Sequence, residues 1–456
     1  MTDAIADEAV PRERTFFGQP RGLAYLAFTE AWERFSYYGM TSLLVLYMTQ
    51  QLFMPGHVEN VAGFTQFRAG VESIFGPMST IAFASQVNGL YTGFVYFTPI
   101  FGGLIADRWI GRRNAVALGA ILMSCGHIAM AFDQSFLLAL LLLVIGSGFL
   151  KGNIAAQVGA LYPEGDAAGR TRGYSIFSIS INVGAVAGPL ACGLLAQIYG
   201  WHVGFGLAGA LMLIGLATYL IGYRTLAEQT AAAKSSAAHV TEKLDARQWR
   251  IIAAIIVAML LSVFQSVAYY QNTNVGLIWI DAFVDLDVLG FKIPVGWFVS
   301  LDSFISIVFV PVLFILWRWQ QKHGGEPGEI GKMATGAWMA AAANFILVLA
   351  CLPGGRVSGI FPVIYDVILG VAFLYYWPTL LALVSQAAPT KLKSTMMGVA
   401  YLSLFIGNLI VGRLGALYES LGPANFWLVH AGIAAVGAVL CMVLARPLGK
   451  VLATQA

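Results

Sequence analysis

Leu23-Ala-Tyr-Leu-Ala-Phe-Thr-Glu30-Ala-Trp-Glu33-Arg34-Phe-Ser-Tyr37-Tyr38 opens a stretch, residues 23–52, long and apolar enough to cross a bilayer. It nonetheless carries two carboxylates and a guanidinium. At spacings of three and four residues Glu30, Glu33 and Arg34 share one helical face, which Tyr37 and Tyr38 extend by a turn. Ionisable side chains at membrane depth are costly and face a polar interior or a pathway for ions or substrate. A structural pair needs one acid and one base; two acids competing for one arginine leave a proton's worth of charge open. The stripe points to proton-coupled transport, with a static network locking the helices as the alternative.

The same apolar character runs along the chain. Of 456 residues, 58% are hydrophobic and 11% charged, and mean hydropathy is +0.75; a soluble protein carries about 25% charged residues. Twelve spans are expected, near 23–52, 82–107, 114–132, 135–161, 173–199, 202–222, 249–273, 292–320, 330–353, 359–387, 393–421 and 424–448. All but six of the 26 Lys and Arg fall on one side of this arrangement: Arg68, Lys292 and Arg356 lie opposite, and Arg34, Lys151 and Arg413 lie within spans. This bias predicts a multi-pass protein of a bacterial inner (plasma) membrane with both termini cytoplasmic. The net charge of +3 then reflects topology and gives no support to nucleic-acid binding. Cys125, Cys192, Cys351 and Cys441 lie in separate apolar stretches without metal-ligand spacing, so packing roles and no metal site are expected.

A polar interruption at 223–248 divides the chain. The expected organisation is a cytoplasmic tail at 1–22, a six-helix bundle at 23–222, a cytoplasmic linker at 223–248, a second six-helix bundle at 249–448 and a tail at 449–456. Transporters built of two such bundles rock one against the other around a midplane site. The other long loops are expected near 53–81 and 274–291, the second a solvated acidic loop with Asp281, Asp285 and Asp287. Between the second and third spans lies Gly102-Gly103-Leu-Ile-Ala-Asp107-Arg108-Trp-Ile-Gly111-Arg112-Arg113. Its glycines allow sharp turns, while Asp107, Arg108 and Arg112 can cap helix ends and pair across one face. The string resembles the inner-loop signature of the major facilitator superfamily, which implies an all-α fold of twelve transmembrane helices in two six-helix bundles and a gating role for those three residues.

The fourth span contains Gly146-Ser-Gly-Phe-Leu-Lys151-Gly-Asn153. At about 1.5 Å per residue, Lys151 and the Glu30/Glu33 pair lie at one depth, about 10 to 15 Å from the inner end, so two acids and two bases could meet. Here a second resemblance becomes specific. Glu30-x-x-Glu33-Arg34-Phe-x-Tyr37-Tyr38-Gly39, Tyr96-Phe-Thr-Pro99, Phe149-Leu-Lys151-Gly-Asn153, Ile176-Phe177-Ser178-Ile-Ser-Ile-Asn182-Val-Gly184 and Gly200-Trp201-His202-Val-Gly204-Phe205-Gly206 resemble motifs of the proton-dependent oligopeptide transporter family. The likeness implies that Glu30, Glu33, Arg34 and Lys151 couple proton movement. It also implies that Arg34 and Lys151 help bind a peptide carboxylate, and that Tyr37, Tyr38, Tyr96 and Asn182 line the cavity.

Departures from that pattern fall mainly in the second half. The family often has an arginine soon after the tyrosine pair, opposed by a seventh-helix acid; here Thr41 and Tyr270 stand there. The tenth-helix glutamate that receives a peptide's amino terminus aligns with Phe373, before Tyr375-Tyr376-Trp377-Pro378. Asp302 falls in the eighth span, where the family commonly has asparagine. It is expected either to receive a substrate cation, with Tyr270 and Phe373 lining the same pocket, or to pair with Arg413. No nucleophile with an oriented base is present, so no enzyme is expected. The expectation is a proton-coupled symporter of di- and tripeptides, with another small anion or metabolite as the alternative cargo. Protons would be the coupling ion, no cofactor is expected, and a monomer in the lipid bilayer would suffice.

Overall fold

The computed structural model describes residues 15, 16, 18–163, 166–226, 244–389 and 392–452. The expected tail at 1–22 and linker at 223–248 lie largely outside the described residues, as do Arg12, Arg14, Lys234, Lys243 and Lys391 of the charge bias.

The first bundle holds α1 (Arg21–Tyr47), α3 (Thr80–Ile105), α4 (Arg112–Ala129), α5 (Phe136–Ala160), α6 (Ala167–Tyr199) and α7 (Trp201–Gly222), with α2 (Phe64–Phe75) outside it. The second holds α8 (Ala246–Tyr269), α10 (Trp297–His323), α11 (Glu329–Cys351), α12 (Ile360–Leu374) continued by α13 (Trp377–Ala387), α14 (Lys393–Gly415) and α16 (Pro423–Leu452). Short helices α9 (Val275–Phe283) and α15 (Tyr418–Leu421) complete it. Among the described residues ten segments are long and apolar enough to cross a membrane by composition alone. The other two of the twelve spans, α1 and α4, fall short for physical reasons. α1 carries Glu30, Glu33 and Arg34 at mid-length, and α4 opens on Arg112-Arg113-Asn114.

Local chemistry sets the helix ends. Ser79 Oγ accepts from Ala82 N at the start of α3, and Asp245 and Gln248 form a reciprocal cap at the start of α8. Gly200 (φ +95°) makes the turn between α6 and α7, a backbone region costly for any residue with a Cβ. Pro99, Pro189 and Pro311 lie inside α3, α6 and α10. Pro378 occupies the first turn of α13, where its missing N–H is harmless.

Packing within the first bundle depends on small residues. α1 lies against α6 and α7, α4 against α5 and α7, and α3 against α5. α1 and α6 approach so closely that a Cβ on Gly184 would stand 2.3 Å from Ala31 O, and one on Gly188 2.3 Å from Phe35 O. Such contacts substitute for a hydrophobic drive that lipid cannot supply. In the second bundle α11 packs on α16 and α12, α16 on α8, and α10 on α12. The bundles meet through α3 with α14 and α6 with α10.

Hydrogen bonds that cross this seam gather at the end remote from the chain termini, here called the far side. Ser300 Oγ donates to Val186 O at 2.7 Å, and Trp297 Nε1 to Leu190 O at 2.9 Å. Asn274 Nδ2 donates to Ser85 Oγ at 2.7 Å, Gln50 Nε2 to Asp281 Oδ2 at 2.7 Å, and Arg413 Nη1 to Phe75 O at 2.9 Å. On the terminal side, Ser178 and Ile179 of α6 are exposed. The molecule is closed at the far side.

Several expectations are corrected here. The 53–81 and 274–291 segments contain α2 and α9, because both carry apolar residues that bury against the bundles. The eighth span begins at Trp297 instead of 292, since Asp287–Val288 pairs antiparallel with Phe291–Lys292 in a hairpin. Its turn residues, Leu289 (φ +51°) and Gly290 (φ +83°), both take the left-handed conformation that a two-residue hairpin needs. The span expected at 359–387 is broken at Tyr375–Tyr376, ahead of Pro378. The span expected to reach 421 ends at Gly415, and 418–421 forms a separate turn of helix.

Candidate functional site

Glu30 and Glu33 are buried, at 4% and 0% exposure, on the face of α1 predicted by their spacing. Arg34 Nε lies 2.9 Å from Glu30 Oε1 and 2.5 Å from Glu33 Oε2. Neither contact has hydrogen-bond geometry, and Glu30 Oε2 and Glu33 Oε1 also lack a donor. One guanidinium thus serves two carboxylates and satisfies neither fully. Such an arrangement is sensitive to any change in neighbours.

Lys151 lies nine residues from the end of α5 and Glu30 nine from the start of α1, so both stand about 14 Å inside their helix ends. The depth match holds, and Lys151 joins the acids and Arg34 in one cluster without touching a carboxylate. Among the described residues Lys151 makes no ion pair. Its Nζ stands 4.3 Å from the Tyr37 ring centre and 5.1 Å from that of Tyr96, and it has no hydrogen-bond acceptor. A desolvated cation over aromatic faces gains about 2 kcal/mol, enough to hold the amine without occupying its donors. Arg34 also lies over Tyr37, at 5.6 Å.

From this cluster a series of aromatic rings crosses the seam. Tyr96 lies 6.4 Å from Tyr270, and Tyr270 meets Tyr269 edge-on at 5.0 Å. Tyr269 stacks on Phe373 at 5.2 Å and donates its hydroxyl to Asp302 Oδ2 at 2.6 Å. Tyr38, Tyr96, Tyr270, Phe373 and Asn182 are half-buried, whereas Tyr37 is buried beneath Lys151. Thr41 turns inward and donates to Tyr37 O at 2.9 Å.

Asp302 is not paired with Arg413, which corrects one of the two expectations for it. Its carboxyl turns into its own bundle toward α8 and α12, while Arg413 reaches across the seam to Phe75 O. With α10 beginning at Trp297, Asp302 lies about 8 Å from the helix start. At the terminal side Arg112 Nε pairs with Asp107 Oδ1 at 3.1 Å, and both are solvent-accessible; Arg108 is exposed beside them. Arg113 of the same string instead stacks on Tyr223 at 4.1 Å and donates to Tyr223 O, binding α4 to the end of α7. Asn153 is structural, donating to Phe149 O at 2.9 Å.

Three residues escaped the sequence reading. Tyr269 and Tyr401 of α14, the latter stacked on Tyr96 at 6.5 Å, are neutral aromatics in apolar runs and carry no sequence signal. Asp366 is an acid inside the apolar run of α12, the same signal that marked Glu30, and could have been found. Tyr375 and Tyr376 are buried, Tyr376 with its ring 6.4 Å from Phe373, and half-buried Trp377 lies 5.3 Å from Tyr401.

A model of the POT family, the proton-dependent oligopeptide transporters, matches residues 113–244 and 226–427. The chain belongs to the POT family. It is 27% identical to the peptide transporter YePEPT of Yersinia enterocolitica, covering 89% of each chain. It is 26% identical to a di-/tripeptide transporter of Lactococcus lactis subsp. cremoris, over 96% of this chain and 98% of the relative. The crystal structure of a peptide transporter POT in complex with sulfate superimposes with a TM-score of 0.83, at 26% identity, over 96% of this chain and 97% of the other. The same holds for a POT peptide transporter in complex with alafosfalin, with a TM-score of 0.82 and 27% identity. This POT-family chain is a multi-pass membrane transporter with the major facilitator fold, and not an enzyme.

Proposed function

We propose that this chain imports di- and tripeptides together with protons across a bacterial inner membrane by alternating access. The observation that carries the reading is Arg34 shared between buried Glu30 and Glu33, with Lys151 held nearby on tyrosine rings. Peptide transport in the Yersinia and Lactococcus relatives supports the cargo. The charge bias supports cytoplasmic termini, which makes the far side extracytoplasmic and the present state inward-facing.

From an outward-open state, a proton on Glu30 or Glu33 releases part of Arg34's charge. The guanidinium and the Lys151 ammonium, which has no acceptor of its own, then take the peptide carboxylate. Tyr37, Tyr38, Tyr96, Asn182, Tyr270 and Phe373 surround the bound chain, and Asp107, Arg108 and Arg112 restrain the terminal side until the bundles rock. Opening to the cytoplasm hydrates the cluster. The proton leaves, Arg34 returns to its two carboxylates, and the peptide loses its partner. Protons are the coupling ion, and a single chain contains every group the cycle uses.

Dialanine uptake into proteoliposomes tests the reading. An inward proton gradient should concentrate dialanine, and a protonophore should reduce accumulation to equilibration. Uptake indifferent to the gradient would reject coupling; absence of competition by unlabelled di- and tripeptides would reject the cargo.

A further inference from the structure

Asp366 has no part in the cycle just described. It is 2% exposed, and its Oδ2 has no partner. Asp302 approaches it from α10 and is itself 5% exposed, with Oδ1 unpartnered. Gly370 stands one turn beyond Asp366 on the same face of α12. A Cβ on Gly370 would lie 3.2 Å from Asp302 Oδ1 and 2.8 Å from Asp302 O, and Ser306 Oγ donates to Gly370 O at 3.1 Å. The two carboxyls therefore belong to one close contact between α10 and α12.

The ionisable groups around them are few. Tyr269 of α8 donates to Asp302, Tyr365 flanks Asp366 with an unpartnered hydroxyl, and Tyr38 reaches toward Asp302 from α1. On α16, His430 is occupied by Gln271 Nε2 at 3.1 Å and Phe426 O at 2.8 Å. On α11, Lys332 is committed to Glu326 and the Trp317 ring. Among the described residues, Arg34 is held by its two glutamates, Lys151 on its rings and Arg413 at Phe75 O. Two buried carboxylates with no countercharge among the described residues carry a large desolvation cost, which a proton shared between them reduces.

Space for a water molecule that could take that proton adjoins Asp366. A cavity of about 10 Å³, lined by Asn272, Tyr365 and Asp366 among apolar residues, has room for roughly one water molecule. Asn272 Oδ1, Tyr365 Oη and Asp366 Oδ2 are all buried and unpartnered. On its other side the pair connects through Tyr269 and Tyr270 to Tyr96, and so to the Lys151 cluster. We propose that Asp302 and Asp366 form a second proton-carrying site, in the second bundle, that exchanges its proton with water during the transport cycle. Each exchange makes and breaks one O–H bond and leaves a shared proton on the pair or a second negative charge.

The proposal extends the proton-coupled reading, and its first test needs no transport. Infrared difference spectra of the full-length protein in lipid nanodiscs, recorded across pH, should show a protonated-carboxyl band at neutral pH. Asp302→Asn and Asp366→Asn should each remove or displace it, and Tyr269→Phe should shift its frequency while Glu30→Gln leaves it in place. A band unchanged in both aspartate variants would overturn the site, even if dialanine is transported. The second test balances a dialanine gradient against a proton gradient in proteoliposomes. Asp302→Asn or Asp366→Asn should lower the proton count per dialanine by one, and an unchanged ratio would overturn participation in the cycle. If dialanine is not carried, the infrared arm still decides the site.

Discussion

Gly89 of α3 lies so close to Gly412 of α14 that a Cβ on Gly89 would stand 2.6 Å from Gly412 Cα and 2.7 Å from its amide nitrogen. The two bundles touch here backbone to backbone, with no side chain between them. Far-side closure therefore depends on two hydrogens where other residues carry carbon.

Substituting Gly89→Val should prevent that closure. Overpacking a tight contact costs about 1–3 kcal/mol, and because only the far-side-closed state contains the contact, the population shifts toward far-side opening. Spin-label distances between positions 73 and 420 should lengthen, and concentrative uptake should fall. A wild-type distance distribution in the variant would contradict this account of the seam.

The Arg34 cluster makes a stability prediction independent of transport. Removing one partner from a buried ion pair costs about 3–5 kcal/mol when a charge is stranded. Arg34→Ala strands two carboxylates, whereas Glu30→Ala leaves Arg34 paired with Glu33. Thermal unfolding in detergent should thus show Arg34→Ala well below Glu30→Ala. Equal losses would mean that the guanidinium does not bind both acids.

Asp302 and Arg413 should be energetically independent. Asp302 is bound by Tyr269, and Arg413 by Phe75 O. In a double-mutant cycle with alanine at both positions the stability changes should add within about 0.5 kcal/mol. Tyr269→Phe, in contrast, should show clear coupling with Asp302→Ala, since each change removes the Tyr269–Asp302 hydrogen bond.

On the far side, Arg68 Nε donates to Glu72 Oε1 at 3.0 Å, and Met78 N donates to the same oxygen at 3.1 Å. The Arg68 bond, opposed by desolvation and helped by the Met78 amide, holds the Glu72 carboxyl below its ordinary range. A lowered carboxyl contributes stability above its unfolded pKa and loses it as pH falls through the folded value. Hydrogen exchange in residues 64–79 should therefore gain an acid-dependent component below the usual glutamate range, absent in Glu72→Gln. An identical acid profile in both proteins would show that the carboxylate does not anchor this segment.

The spans were legible because bilayer thickness imposes a length and composition that any sequence must display. The charged face of α1 was legible because helical periodicity alone places Glu30, Glu33 and Arg34 together. Where the reading went wrong, a competing local force was responsible. Apolar residues 275–283 lie beyond a span yet still bury as a helix, and the Asp287–Lys292 hairpin takes residues assigned to the eighth span.

By itself, the order of residues determined a polytopic helical protein with titratable groups at membrane depth, since burial cost and helix pitch act within single segments. Partnership was decided only by folding. Lys151 went to tyrosine rings, Arg413 to a backbone carbonyl, and Asp302 to Tyr269 beside Asp366. A side chain's depth follows from its own helix, but what neutralises it depends on how the other helices are turned and spaced.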